Sequence, residues 1–395
     1  MAKYSITTLL TASLCLLSSP LAQADFFDEF MIDPDDGQLD ASRYISQTPL
    51  GFLPVPSIIT EPAVGTGLSL MGLFFHDTDK NKQTEHTDHA LLPKSISIIG
   101  AMKTENGTWG TGLGHIAFWQ QDTLRYRGFA GYADINLDFY SLAGRELNKP
   151  IALNLNGPGI LQQLTKRIPN SNFFAGVKQF YRGVDIALAD PLLPDIDING
   201  EQLSILDQQL SKKITTSGLG GVFEFDNRNN PLNPEKGFNY RAEYMLFDDS
   251  IGSDVEYQSA QIKGLNYWQL SPTTNFAFRY QYDGVYADDD TKLPVYVLPF
   301  IDLRGIAKSR YQGTDVLVTE VELTYKLNQR WRINGFTGLG KASYSFSDMG
   351  SADSQTTVGA GFRYLIAKRY GFTMGLDIAK GPEESAIYIQ AGASW

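Results

Sequence analysis

Few residues of this sequence could carry covalent or metal chemistry. There are four histidines, His76, His86, His89 and His115, and a single cysteine, Cys15. Glu85-His86-Thr87-Asp88-His89 offers imidazole and carboxylate ligands, but it reads as loop, and no helix or strand would aim both rings at one ion. Asp195-Ile196-Asp197-Ile198-Asn199-Gly200 matches the first half of a calcium loop, yet Leu206 stands where the bidentate glutamate belongs. A short helix predicted over 201–213 would follow it, with Leu203, Leu206 and Leu210 on one side. Both stretches are read as surface loop, with no metal and no cofactor assigned. No serine sits in G-x-S-x-G and no H-E-x-x-H occurs. His115 falls on a predicted strand, and nothing in the sequence pairs it with a serine. The chain is read as non-enzymatic.

The elements that would position any site begin with the compartment. Lys3, an apolar run from Ile6 to Leu17, and Ala22-Gln23-Ala24 form a charged head, a short hydrophobic stretch and an A-x-A cleavage pattern. Residues 1–24 are predicted to be a signal peptide, cleaved after Ala24. The apolar run falls short of the roughly 20 residues a spanning helix needs. Leu14 before Cys15 is not the small residue a lipidation signal requires. Without the leader the chain has no cysteine, hence no disulfide and no thiolate site. Removing Lys3 leaves 32 basic against 44 acidic residues, a balance that argues against nucleic acid. No later window resembles a transmembrane helix, while Phe (23), Tyr (20) and Gly (37) are abundant. Exported, helix-poor and rich in aromatics and glycine, the chain has the composition of a transmembrane barrel.

Period-2 patterning supports this. Leu317, Thr319, Val321, Leu323, Tyr325 and Leu327 alternate with Val318, Glu320, Glu322, Thr324 and Lys326. Similar alternation runs through Phe276–Asp283, Phe238–Leu246, Val358–Ile366 and Phe372–Ile378. In a bilayer the apolar set faces lipid and the polar set the lumen. The expected fold is all-β, an antiparallel transmembrane barrel of about sixteen strands. They are predicted near 52–61, 66–77, 95–105, 109–121, 124–141, 151–168, 172–188, 214–228, 237–249, 255–270, 275–287, 315–327, 330–346, 355–367, 370–381 and 385–395. The short turns 169–171, 271–273, 328–329 and 368–369 then fall in the periplasm, and 189–213 and 288–314 fall outside. The segment 78–94 is periplasmic despite its length. Pro54, Pro56 and Pro62 interrupt the first strand, so fourteen strands remain open. Residues 51–395 are the barrel, and 25–50, with Phe26, Phe27, Phe30 and a cluster of aspartates, read as a flexible acidic periplasmic tail.

Four stretches resemble one known superfamily. Asp226-Asn227-Arg228-Asn229-Asn230-Pro231-Leu232-Asn233-Pro234-Glu235-Lys236-Gly237 resembles the periplasmic turn between strands eight and nine of the BamA/TamA-type assembly barrels. Leu303-Arg304-Gly305-Ile306 is similar to that superfamily's Arg-Gly-aromatic loop motif, with Ile306 in place of the aromatic. Thr60–Gly67 resembles the first hairpin of the bacterial-surface-antigen branch, and the chain ends on an aromatic, Trp395. The resemblance covers roughly residues 51–395. Family members carry POTRA modules before the barrel; residues 25–50 are too few for one, so the chain looks like the branch lacking them. Phe336-Thr337-Gly338-Leu339-Gly340 matches a family segment with an aspartate at the place of Gly338. In the family that acid helps hold the loop arginine inside the lumen. Here the inward-pointing Glu320 and Glu322 are the expected partners of Arg304, since an unpaired buried arginine would be costly.

The resemblance implies a non-enzymatic barrel acting in outer-membrane protein or lipid assembly or translocation. The expected working part is a weak seam between the first and last strands, marked by Pro54, Pro56, Ile387, Ile389, Gly392 and Trp395. Its partners would be outer-membrane lipids and the assembly machinery that reads the last strand. The client and the choice of monomer or homodimer are open. The alternative is a passive channel whose selectivity is tuned by Arg241, Glu243, Arg279, Asp283, Arg363 and Asp377.

Overall fold

A computed structural model describes residues 28–47, 52–61, 63–76, 94–142, 145–188 and 213–395, without the side chains of 141–149. The predicted leader, Glu85–His89, the calcium-like stretch and the predicted helix at 201–213 lie outside these residues, save that Lys213 opens a strand. Sixteen strands follow one another: β1 Phe52–Ile59, β2 Gly67–His76, β3 Ser95–Thr104, β4 Trp109–Trp119, β5 Leu124–Leu142, β6 Arg145–Arg167, β7 Phe173–Leu188, β8 Lys213–Asp226, β9 Gly237–Phe247, β10 Tyr257–Gln269, β11 Thr274–Tyr286, β12 Asp315–Lys326, β13 Trp331–Ser343, β14 Gln355–Ala367, β15 Phe372–Lys380 and β16 Ser385–Ala391. Each pairs antiparallel with the next in a single sheet. The doubtful first strand is real and settles the count at sixteen; Pro54 and Pro56 sit in it without shifting its register with β2.

Burial follows strand parity. Leu317 and Leu323 on β12 are exposed, whereas Val316, Val318 and Glu320, of the opposite parity, are buried. Around the sheet the exposed set is apolar, including Leu68, Ile99, Phe129, Val177, Ile262, Val358 and Ile378. The buried polar set includes Arg125, Glu224, Glu243, Arg279, Arg363 and Asp377. A water-soluble domain has the reverse arrangement, so the outer wall is built for lipid. β5 and β6 run far beyond the about 9–11 residues a crossing needs, and that hairpin projects past the bilayer at the end of the barrel opposite the start of β1.

Two expectations are corrected. The last strand stops at Ala391, because Gly392 adopts φ 84° and redirects the remaining residues inward. The segment before the barrel is no flexible tail where it is described. Residues 28–47 fold against the end of the barrel where β1 begins, with an Ile32–Leu39 bridge and a short helix, α1 (Ser42–Gln47), whose Ile45 is buried. Asp33, Asp36 and Asp40 neutralise an arginine, while Asp28 and Asp35 face water.

Candidate functional site

The loop between β11 and β12 folds back into the barrel. Ile301, Leu303 and Ile306 pack on the inward-facing Val316 and Val318 of β12. They need space on β13, and glycines provide it: a Cβ at Gly338 would come within 2.6 Å of Leu303, and one at Gly340 within 2.3 Å of Ile301. Gly305 adopts φ 94° and lies backbone to backbone with Gly381; a Cβ there would be 2.9 Å from the Gly381 nitrogen. A side chain at position 305 would be both strained and in collision. The Gly305 N–H donates to the Tyr388 hydroxyl on β16 at 2.9 Å.

This seating puts Arg304 in the centre of the lumen. Its Nε and Nη2 donate to Glu320 Oε1 at 2.9 and 2.7 Å, and Nη1 donates to Asp377 Oδ2 at 2.7 Å. Glu322 lies 3.0 Å from Nη1. The guanidinium lies 3.4 Å from the centroid of the Phe336 ring. Arg363 grips Asp377 with two bonds of 2.7 and 2.8 Å, and Arg279 lies 3.7 Å from Glu320. Three guanidiniums thus meet three carboxylates, which makes burial of all six tolerable. The redirected C-terminus joins the cluster: Trp395 Nε1 donates to Glu320 Oε2 at 2.7 Å, and the Ser394 hydroxyl reaches Glu322 at 3.2 Å. Gly392 and Trp395 therefore belong to the lumen network and not to the seam strand. Asp377, Phe336 and Trp395 are partners that sequence reasoning missed. Parity marked Asp377 as inward, but only the fold carries β15 to β12.

The turn 226–237 is held by its own side chains. Asp226 accepts from Arg228 at 2.9 and 3.0 Å and from Arg125 at 2.8 Å. Asn229 caps the Glu235 and Lys236 N–H groups, and Asn230 caps Leu232 and Asn233. Gly237 closes the turn at φ 104°, where a Cβ would lie 2.6 Å from the Asn227 carbonyl oxygen. With Pro231 and Pro234 stiffening it, the turn reaches across the mouth. Asn230 touches the Tyr370 carbonyl, and Glu235 pairs with Lys326 and Arg332 at 2.7 and 3.0 Å.

The seam differs from every other strand junction. The sheet order begins at β1 and ends at β16, and among the described residues no ladder joins the two. A single side chain stands in for one: the Thr60 hydroxyl donates to the Ile387 carbonyl and accepts from the Ile387 N–H at 3.0 Å. The inner loop braces both sides, through the Lys308 N–H on Glu61 at 3.0 Å and Arg310 on Glu383 at 3.3 Å. Pro54, Pro56 and Ile58 on β1 point outward, and Pro56 and Ile58 lie beside Ile389 of β16.

These features match known proteins. Residues 185–381 match the Omp85 superfamily domain. The chain is an Omp85-superfamily barrel. Among solved structures it is similar to BamA from Haemophilus ducreyi lacking POTRA domains 1–3, at 12% identity and a TM-score of 0.52, over 86% of this chain and 68% of that one. CdiB from Acinetobacter baumannii gives 11% and 0.53, and CdiB from Escherichia coli 9% and 0.54; each match covers 86% of this chain and 59% or 62% of the other. At these identities the likeness is one of fold, and the chain spans about three fifths of the CdiB structures. No curated protein sequence matches the chain significantly.

Two further sets of residues stand differently in this Omp85 barrel from their sequence reading. The charges considered for a selective pore are largely engaged: Arg241 with Glu243, Arg363 with Asp377, and Asp283 with Gln261. His115 does meet a serine. Ser97, on the lipid-facing side of β3, bridges His76 Nε2 at 2.8 Å and His115 Nδ1 at 2.9 Å. Among the described residues no carboxylate hydrogen-bonds either ring.

Proposed function

We propose that this barrel acts in outer-membrane protein or lipid assembly or translocation, by opening between β1 and β16 and offering the exposed strand edge to its client. One observation carries the reading: fifteen of the sixteen strand junctions are ladders, and the sixteenth rests on the Thr60 hydroxyl and the braces of the inner loop. An unpaired edge in lipid is a template for β-augmentation, because a strand supplied there satisfies backbone groups the bilayer cannot. Arg304 with Glu320, Glu322 and Asp377 keeps the loop seated, so that the braces to Glu61 and Glu383 meet the seam in register. The chain reaches the outer membrane with its leader cleaved after Ala24. Recognition of the last strand by assembly machinery precedes the inward turn that carries Trp395 into the lumen. No step in this scheme needs a nucleophile or a cofactor.

The test is a lock. Ile58→Cys and Ile389→Cys place thiols on opposite sides of the seam in a mature chain otherwise without cysteine. The oxidised and reduced forms are reconstituted in phospholipid vesicles. They are assayed for insertion of an unfolded small barrel protein and for transfer of a fluorescent phospholipid between leaflets. Oxidation is expected to abolish whichever activity the reduced form shows, with recovery on reduction; undiminished activity in the locked form defeats the proposal. In planar bilayers the protein is expected to give brief openings or none, whereas a steady, ion-selective current would favour the channel reading.

A further inference from the structure

The periplasmic half of the seam has a closure of its own. Gly392 takes the end of the chain inward, so β16 ceases to flank β1 below this point. The place is filled from the other end of the chain. Ala41 and Ile45 pack in one cluster with Leu53 and Val55 of β1, Phe75 of β2, and Tyr370 and Phe372 at the start of β15. The Phe75 and Tyr370 rings stack at 5.2 Å. The segment is also tied to the β14–β15 side by its backbone and by the Asp40 carboxylate. The Ala41 N–H donates to the Ile366 carbonyl at 2.7 Å, the Tyr364 hydroxyl donates to the Leu39 carbonyl at 2.7 Å, and the Lys368 N–H donates to Asp40 at 3.2 Å.

What holds it is ionic. Arg330, in the β12–β13 turn, is 1% exposed, and three carboxylates from the segment surround it. Asp36 accepts from its Nε at 2.7 Å, and Asp33 and Asp40 take its two terminal nitrogens. Lys368 lies 3.1 Å from Asp33. These bonds sit at the mouth of the barrel, where Lys368 and Asp35 are substantially exposed, and few apolar side chains of the segment are buried with them. Such a contact is specific in geometry, and its exposed edge at Lys368 and Asp35 is where salt or a competing charge can enter.

We propose that residues 31–47 form a releasable latch across the periplasmic half of the seam, with the carboxylates of Asp33, Asp36 and Asp40 occupying the Arg330 site in cis. The latch rests on the seam reading above and adds the element that keeps the seam shut at rest. Without Arg330 the three carboxylates would face one another with no central countercharge, and the segment would leave.

The experiment uses the full mature chain in phospholipid vesicles and reads amide hydrogen exchange, not activity. In Arg330→Gln, exchange at 31–47 is expected to rise, and exchange at Leu53–Val55 and Phe372–Met374 to rise with it by roughly tenfold or more, as for a lost buried pair. The β5–β6 hairpin should be unchanged. Asp36→Asn with Asp40→Asn should reproduce the pattern more weakly, and decides the matter if Arg330→Gln fails to fold. Fast exchange at 31–47 with full protection of 53–55 and 372–374 overturns the latch and leaves the seam proposal standing. Active protein with a locked seam defeats the seam proposal whatever the latch variants do.

Discussion

The β5–β6 hairpin and the β1–β16 seam show two ways in which this barrel joins its strands. The hairpin pairs residue by residue from Leu124 with Lys166 to Phe139 with Ile151 before its first irregularity, and its stability is local to one turn. The seam joins the two ends of the barrel, and among the described residues no ladder spans it; Thr60, an inner loop and the segment before β1 make the contacts there. Backbone ladders cannot be lost one bond at a time without exposing polar groups to lipid, whereas side-chain braces can be released as units. On the proposed function, the barrel concentrates its freedom at this one junction.

The comparison breaks most severely if Arg304 is removed. Arg304→Met leaves Glu320 and Glu322 with little countercharge in the lumen, a loss of about 3–5 kcal/mol by analogy with other broken buried pairs. Urea unfolding in vesicles is expected to show that loss. A midpoint equal to wild type would mean that the network does not hold the loop. Gly305→Val should cost somewhat less, about 1–3 kcal/mol for strain and collision with Gly381, and should raise exchange at β16 while the β5–β6 hairpin keeps its protection.

A sharper test restores the family's acid. Gly338→Asp adds a carboxylate toward Arg304 but drives its Cβ into Leu303. It is expected to destabilise by about 1 kcal/mol, with part of the loss recovered in Gly338→Asp combined with Leu303→Ala; strict additivity would show that the two sites do not share space. The smallest effect expected is with pH. Burial raises the Asp33 carboxyl pKa, but hydrogen bonds from the Asp35 N–H and Lys368 outweigh it and hold it below the ordinary value. The hydrogen bond from Arg330 likewise holds Asp36 low. A depressed carboxyl contributes stability above its unfolded pKa and loses it as pH falls through the folded one. Protection of 31–47 should therefore hold at neutral pH and decline under acid conditions, before the β5–β6 hairpin changes.

Much of the fold was legible because a transmembrane strand writes its environment into every second residue. Leu317, Leu323 and Val358 face outward and Glu320 and Arg363 inward, as parity demands. The same parity aimed Glu320 and Glu322 at the lumen, where Arg304 meets both. The inward turn at Gly392 was not legible, since glycine in a strand marks a thin position and a turn equally well. Nor was the latch: Asp33, Asp36 and Asp40 look like a solvated acidic run until Arg330, far along the chain, is brought among them.

The sequence alone determined the barrel, its strand order and which side of each strand meets lipid, because these follow from local periodicity and from the need to pair every backbone group in a bilayer. The tertiary structure alone decided how the ring is fastened. That depended on contacts between residues 73 to 327 positions apart, Arg304 with Asp377, Arg330 with three aspartates and Thr60 with Ile387, whose meeting no local pattern encodes.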